Sequence, residues 1–294
     1  MRTELIRASE LLQKNTPEAI DEAIGLLQNT VFSFSMKMCG HRQDAEDTMQ
    51  EVLFRSLKHL AKLENPNALA AWLYTVTRNR CHRMRRSQPD SNGKKLSLED
   101  LIPDDEELRR LLAGAERGPE RDAIHAEQHH LLHEAVLRLP TALRLVLVLH
   151  DMEELTSEEI AKILGLQIGT VRVRLHRARL AVRREMPRLL KGLPEPRTPE
   201  HLAFAERPKE CRDPFAGLSE YLDGRVEPRT CDQMRAHIER CPACVAFLKD
   251  LRAAIDRCRS FEVACNPIVA QRMRALMTQE YLRLVGRSTD LVAS

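Results

Sequence analysis

Apolar residues recur at helical spacing along most of this chain, and no segment alternates in the manner of a strand. From about Glu18 to Arg86, residues such as Ala45, Met49 and Val52 follow each other three or four positions apart. Positions with this spacing line one face of a helix. A second helical unit is predicted from roughly His125 to Leu190. The pattern therefore predicts an all-α fold.

Two polar segments containing proline separate the predicted helical units. "SQPDSNGKKLSLEDLIPDDEE" carries helix breakers and changes from basic to acidic, and "GLPEPRTPEHLAFAERPKE" contains four prolines, which disfavour a helix. The expected segments are a helical domain at 1–90, a flexible linker at 91–124, a helical domain at 125–191, a Pro-rich linker at 192–210, a small Cys/His unit at 211–255 and a helical tail at 256–294.

Composition and charge narrow the function classes. The 294 residues exceed one typical domain, and the net charge of +3 conceals basic segments such as "RVRLHRARLAVRR". The N-terminus lacks the apolar core of a signal peptide, and the run "LRLVLVLHDM" is too short to cross a bilayer. We therefore expect a cytoplasmic protein, in which the eight cysteines are metal ligands or redox thiols and not a disulfide framework.

The segment "TSEEIAKILGLQIGTVRVRLHRARLAV" predicts a helix-turn-helix. Thr156 and Glu159 have the spacing of a capping box, and Gly165 offers a left-handed exit from the first helix. The second helix combines an apolar stripe with basic residues on its other faces. The candidate DNA-binding residues there are Thr170, Arg172, Arg174, Arg177 and Arg179. The alternative is a solvated basic face on a helical hairpin, which the capping and the lack of compensating acids disfavour.

On these residues, "LHEAVLRLPTALRLVLVLHDMEELTSEEIAKILGLQIGTVRVRLHRARLAV" resembles region 4 of an extracytoplasmic-function sigma factor. "DAEDTMQEVLFRSL" and "NALAAWLYTVTRNRCHRMRR" resemble region 2 of the same family. The resemblance covers about two thirds of the chain. It implies that region 4 reads the promoter −35 element and that region 2 binds the RNA polymerase clamp and opens the −10 element.

The resemblance assigns roles to two segments of region 2. An acidic, polar helix face is expected to dock on polymerase through Asp44, Asp47, Gln50 and Glu51, although the same face is also that of an ordinary solvated helix. The −10 contacts are expected from Trp72, Asn79, Arg80, Arg83 and Arg86. Aromatic rings can stack on unpaired bases and arginines can hold the backbone, but Trp72 can equally be a core residue. Arg83 stands where many family members carry Asp.

A Cys/His cluster near the C-terminus predicts a metal site. Cys211 is followed by 25 residues, His237, three residues, Cys241, two residues and Cys244. These four residues can form a tetrahedral Cys₃His zinc (Zn²⁺) site. Cys231 competes as the fourth ligand. Pro242 predicts a helix break beside Cys241. Incidental buried thiols and a thioredoxin-like CxxC are the alternatives, and Cys39, Cys81, Cys258 and Cys265 are not assigned.

With "GLSEYLDGRVEP", this unit resembles the zinc-binding anti-sigma domain, which in its family clamps a sigma factor and blocks its polymerase-binding surface. The resemblance implies a sigma factor, not an enzyme, that is regulated by an intramolecular contact of its own zinc domain. Oxidation or metal exchange at the thiolates would be the signal. The expected partners are core RNA polymerase and promoter DNA in a bacterial cytoplasm, without a membrane. The rivals are a helix-turn-helix regulator that never binds polymerase and a metal-dependent hydrolase.

Overall fold

A computed structural model describes residues 3–60, 66–85, 122–190 and 217–292. Helices make up most of these residues, and no strand occurs among them, so the predicted all-α fold is confirmed. In the same ranges, no helix is both long and apolar enough to cross a membrane.

The described helices run along the chain in the following order. The N-terminal helices are α1 (Thr3–Lys14), α2 (Pro17–Cys39), α3 (Arg42–Leu60) and α4 (Pro66–Arg85). The central elements are α5 (Asp122–Arg138), α6 (Thr141–Leu147), a π-helical turn (Val148–Met152), α7 (Ser157–Leu164) and α8 (Ile168–Leu190). Residues 217–222 are helical, and α9 (Pro228–Arg240), α10 (Pro242–Arg259) and α11 (Pro267–Val292) follow.

The chain forms two compact units that interleave along the sequence. The first unit takes its residues from Met1–Ser91, Val148–Gln167 and Glu262–Ser294, and the second from Asn92–Leu147 and Ile168–Phe261. The helix-turn-helix segment thus contributes α7 to the first unit and α8 to the second. The predicted segment boundaries describe the order along the chain and remain predictions.

The first unit is built around α2, which packs against α1, α3, α4 and α11. The apolar positions predicted on α3, including Ala45, Met49 and Val52, are buried. The C-terminal α11 is tied to α2 by polar contacts: Gln28 donates to the Ala270 carbonyl at 3.1 Å, and Arg274 pairs with Asp21 at 3.2 Å. The end of the chain therefore belongs to the core of the N-terminal unit.

A buried polar group joins α2 and α4 to the π-helical turn within the first unit. The Lys37 ammonium lies 2.8 Å from a Glu153 carboxylate oxygen, and the Tyr74 hydroxyl donates to the other oxygen at 2.7 Å. Lys37 and Glu153 are at most 2% exposed. A buried charge requires a paired and hydrogen-bonded partner. This group therefore fixes the segment that precedes α7 onto the N-terminal helices.

The second unit is organised by α8, which packs against α5, α6 and α10. Its predicted apolar stripe is buried: Val171, Leu175, Ala178 and Val182 are at most 2% exposed. Arg144 is buried on α6, where it donates to the carbonyls of Val136, Leu137 and Leu139 at the end of α5. Helix α8 is thus the element on which the helices before it and the C-terminal part of the unit both pack.

The predicted local signals at the helix ends are confirmed. Thr156 and Glu159 form a complete capping box at the start of α7, and Gly165 ends this helix with φ 64°. Pro242 begins α10 after a break at Cys241, whose backbone is extended. The π-helical turn at Val148–Met152 was not predicted, because its apolar residues are compatible with either helix period.

Candidate nucleic-acid interface and metal cluster

Helix α8 presents two basic faces, of which one is covered within the second unit. Residues at spacings of four, three and four form the covered stripe: Arg172, His176, Arg179 and Arg183. Each of them contacts a residue between 219 and 250. The part of the chain that makes these contacts, residues 217–259, is called the C-terminal module below.

Arg179 is the centre of the covered stripe. Its guanidinium donates two parallel hydrogen bonds of 2.9 Å to the Asp223 carboxylate and a third of 3.3 Å to the Ser219 carbonyl. The Arg179 side chain is only 1% exposed. Asp223 also pairs with Arg259 at 3.7 Å. This bidentate geometry is the strong form of an arginine–carboxylate contact.

Arg183 repeats this arrangement one helical turn further along α8. Its guanidinium donates to Asp250 of α10 at 3.0 Å and lies over the Phe247 ring, 4.5 Å from the ring centroid. The Arg183 side chain is also 1% exposed. Ion pairing and a cation–π contact together satisfy this buried charge.

His176 sits between these arginines and the module. Its Nδ1 lies 2.8 Å from the Ser219 hydroxyl oxygen. Burial, with added repulsion from Arg179 and Arg177, lowers the pKa of His176 from 6.5 to about 4. The imidazole is therefore neutral at physiological pH. At the start of the stripe, Arg172 lies 4.0 Å from Glu220, and both side chains are well exposed, so this pair is weak.

The other basic face of α8 is open and contains Thr170, Arg174 and Arg177 of the predicted DNA-binding residues. All three are partly exposed. Among the described residues, neither Arg174 nor Arg177 makes an ion pair. Val173, directly before Arg174, is 52% exposed. The structure thus separates the predicted DNA-binding arginines into Arg174 and Arg177, which are accessible, and Arg172 and Arg179, which the module contacts.

The predicted polymerase face of α3 is exposed. Asp47 and Gln50 are exposed, and Asp44 is partly exposed. Glu51 is paired with Arg55 of the same helix at 2.9 Å and with Arg80 of α4 at 2.5 Å.

One exposed apolar residue on this face was missed from the sequence. Phe54 is 60% exposed and lies four residues after Gln50 and seven after Asp47. It therefore shares their helix face. That spacing was readable from the sequence, but its exposure was not.

The predicted −10 residues lie on α4. Asn79 is exposed, and its side-chain oxygen accepts hydrogen bonds from Arg78. Arg78 also donates to the Ile163 carbonyl at the end of α7, at 2.9 Å. Trp72 is partly exposed, with its ring centroid 5.5 Å from that of His59. The Arg83 side chain and Arg86 lie outside the described residues.

Three of the four predicted metal ligands converge at the junction of α9 and α10. The ligand atoms of His237, Cys241 and Cys244 all lie within 4.8 Å of one another, and His237 Nε2 is 3.3 Å from the Cys244 sulfur. Ligands of a tetrahedral zinc ion are about 3.5 Å apart, given bond lengths of about 2.0 to 2.3 Å. The donor set and its spacing therefore fit a metal of this kind.

The remaining cysteines do not join this cluster in the part of the chain that the structure describes. Cys231, the competing ligand, lies 3.9 Å from Arg235 and outside the group of three. Cys81, Cys258 and Cys265 are buried, and Cys39 is partly buried. Cys211, the preferred fourth ligand, lies outside the described residues.

Protein-family comparisons match three segments of the chain. The family described as "Sigma-70 region 2" matches residues 24–89, "Sigma-70, region 4" matches residues 129–182, and "Putative zinc-finger" matches residues 218–244. The first match contains the predicted polymerase and −10 residues up to Arg86, the second contains all five predicted α8 residues, and the third ends at Cys244.

Two known proteins are similar to this chain over most of their own length. The ECF RNA polymerase sigma factor SigW of Bacillus subtilis is 26% identical over 183 residues, which are 60% of this chain and 92% of that protein. The RNA polymerase sigma-H factor of Pseudomonas aeruginosa is 28% identical over 186 residues, with coverages of 62% and 93%.

Among solved structures, the sigma factor RpoE in complex with the anti-sigma factor NepR from Bartonella quintana covers 55% of this chain and 92% of its own. The identity is 21% and the TM-score is 0.38. A TM-score this low does not establish a shared overall arrangement.

The lowered pKa of His176 predicts that acid destabilises the second unit. Between about pH 6.5 and pH 4 the unfolded chain binds a proton at His176 that the folded chain does not, so stability falls as pH falls. We expect the free energy of unfolding to decrease by about 2 kcal/mol from pH 7 to pH 5 through this residue. Chemical unfolding at both pH values should show this decrease, and His176→Gln should remove it. His130→Gln, at an exposed histidine of α5, should keep it; equal pH dependence in all three proteins would contradict the assignment.

Proposed function

We propose that this chain, an RNA polymerase sigma factor of the extracytoplasmic-function type, directs core polymerase to its promoters and is held inactive by its own C-terminal module. The sigma-70 region 2 and region 4 segments occur in order in one chain, and a zinc-finger segment follows them. The observation that carries the regulatory part is the burial of Arg179 and Arg183 against carboxylates of the module.

Helix α8 is proposed as the −35 recognition helix. Its open face offers Thr170, Arg174 and Arg177 to the major groove, and Arg172 and Arg179 join the phosphate contacts when the module leaves. Arginine reads guanine edges and binds phosphates bidentately. Several such contacts make the affinity fall steeply with salt.

Helix α4 is proposed to hold the opened −10 element. Trp72 offers a partly exposed ring for a splayed base, and Asn79 and Arg80 offer polar contacts along the strand. Arg83 and Arg86, which lie outside the described side chains, are proposed to add contacts to the backbone of the same strand. The Arg80–Glu51 ion pair links this segment to the proposed polymerase face, so that occupation of one site can be sensed at the other.

The face of α3 formed by Asp44, Asp47, Gln50 and Glu51 is proposed as the docking site for core polymerase. Its acidic and polar side chains remain accessible in the folded chain. A helix-turn-helix regulator that acts without polymerase is not favoured, because such a protein has no use for a sigma region 2. Binding to polymerase also places the protein in the bacterial cytoplasm.

The metal cluster is proposed to bind Zn²⁺ through His237, Cys241, Cys244 and Cys211. Three ligands that already converge and a fourth thiolate from an upstream segment make a closed structural site without an open coordination position. When bound, the ion cross-links the end of α9, the start of α10 and the segment before the module. Oxidation of the thiolates would remove this cross-link, which gives the module a route to release α8.

Covalent linkage to the sigma segments raises the effective concentration of the module at α8. The sequence predicts a linker at 192–210, which lies outside the described residues, and a linker of about 20 residues reaches roughly 25 Å and gives an effective concentration near the millimolar range. A contact of modest intrinsic strength is therefore closed most of the time. Regulation then requires only a signal that weakens the module, not a separate inhibitor.

Transcription with purified core polymerase tests the sigma-factor assignment. On a library of bacterial genomic fragments, we expect promoter-dependent run-off products only when the chain is added, at a low level because the module holds most of the full chain inactive. Arg174→Ala with Arg177→Ala should lower the yield at least tenfold, since both side chains lie on the open face of α8. Lys162→Ala, at an exposed lysine of α7, serves as the matched control. If the chain neither co-purifies with core polymerase nor yields products, the assignment is wrong.

Zinc content tests the ligand set. Cys244→Ser should lose the zinc that the unaltered chain carries, because the variant removes a thiolate from the converging group. Cys231→Ser should retain about one zinc per chain, since Cys231 lies outside that group. Elemental mass spectrometry of the three purified proteins gives the answer directly. Loss of zinc from Cys231→Ser and retention in Cys244→Ser would reverse the proposed coordination.

A further inference from the structure

The proposed polymerase face on α3 is exposed in this structure, whereas part of the proposed DNA-recognition helix α8 is covered. On α3, Asp47, Gln50 and Phe54 are all exposed, with Phe54 at 60%. On α8, Arg179 and Arg183 are each 1% exposed and paired with carboxylates. One proposed binding surface is thus available, whereas part of the other is occupied.

Helix α11 packs on α3 without covering the polymerase face. The Arg42 guanidinium donates to the Ala264 carbonyl at 3.4 Å in the segment before α11. Burial, with added repulsion from Glu46, raises the pKa of the Cys265 thiol in the same segment. Glu46 and Phe54 are eight residues apart, which places them about a quarter turn apart around the helix. The C-terminal contact therefore uses the edge of α3 next to the core and leaves the outer face exposed.

On α8, carboxylates of the module pair with arginines that could otherwise bind DNA phosphates. Asp223 and Asp250 each accept charge-assisted hydrogen bonds from an arginine, and Ser219 contacts His176 between them. Carboxylates and phosphates bind the guanidinium fork in the same bidentate manner. An arginine paired to Asp223 cannot donate the same hydrogen bonds to a promoter phosphate.

We infer that the C-terminal module competes with −35 promoter DNA for α8 and not with core polymerase for α3. This inference rests on the proposed function. The full chain therefore binds core polymerase, and the inhibited species is a holoenzyme in which the covered stripe cannot contact the −35 element. Release of the module is the step that permits promoter binding.

Phe54 is the apolar anchor of the exposed polymerase face of α3. Protein interfaces concentrate binding energy in a few large apolar or aromatic side chains that a polar rim surrounds. Asp47, Gln50 and the Glu51–Arg55 pair form such a rim around Phe54. The match to sigma-70 region 2 includes this whole face, which supports core polymerase as its proposed partner.

The test measures two affinities for each of four full-length proteins. Fluorescence anisotropy gives the affinity for core polymerase, and gel shift of the reconstituted holoenzyme gives the affinity for a promoter obtained by run-off selection. The variants are Asp223→Asn with Asp250→Asn, Phe54→Ala, and a control pair, Glu239→Gln with Asp256→Asn, which removes two exposed charges from the same module.

The expected results separate the two surfaces. The unaltered chain, the Asp223/Asp250 variant and the control should bind core polymerase within about twofold of one another, and Phe54→Ala should bind at least tenfold more weakly. Promoter affinity should rise at least tenfold for the Asp223/Asp250 variant and stay unchanged for the control. Footprinting of the unaltered holoenzyme should show weaker protection of the −35 element than of the −10 element. This comparison needs no variant.

Two results would overturn the inference. If the unaltered chain fails to bind core polymerase and the Asp223/Asp250 variant binds it, the module blocks polymerase, and the sigma-factor assignment still stands. If the promoter affinities of these two proteins are equal while circular dichroism shows both folded, the carboxylates do not compete with DNA. Failure of all four proteins to bind core polymerase would instead refute the proposed function itself.

Discussion

Two buried guanidinium groups determine how the second half of this protein is arranged. Arg179 and Arg183 lie on a helix whose apolar stripe already faces the core, and both are removed from water on a different side of that helix. A charge so deeply buried is tolerated only with a well-placed counter-charge. Asp223 and Asp250 provide it, so the C-terminal module must sit against α8 for this state to exist.

The metal cluster lies at the start of the helix that holds Arg183. Cys241 and Cys244 bracket the first turn of α10, and the same helix carries Phe247 and Asp250, which hold Arg183. A metal that fixes the start of α10 therefore fixes the residues that cover α8. The thiolates are chemically the most reactive part of the module and lie six to nine residues from Asp250. Under the proposed function, this short distance along one helix is the route by which metal occupancy would control DNA access.

Local features were predictable from the sequence, whereas pairings distant in sequence were not. The capping box of α7, the exit at Gly165 and the break at Pro242 depend on residues a few positions apart, which motif and propensity rules describe. By contrast, Arg179 and Asp223 are 44 positions apart, and Lys37 and Glu153 are 116 apart. No periodicity signals such pairs. For that reason the sequence nominated Arg179 for DNA binding without indicating that a carboxylate already holds it.

The most direct test of self-inhibition is run-off transcription with core polymerase, comparing the full chain with its Asp223→Asn, Asp250→Asn variant. The variant keeps the matched sigma-70 segments and α11, which packs on α2 and α3 in the first unit. It lacks only the two carboxylates that pair with Arg179 and Arg183. The account predicts more transcript from the variant at equal concentration, because the two arginines are then released for phosphate contacts. Equal transcript would show that the module does not inhibit through these contacts, and less transcript would show that the module supports the active conformation.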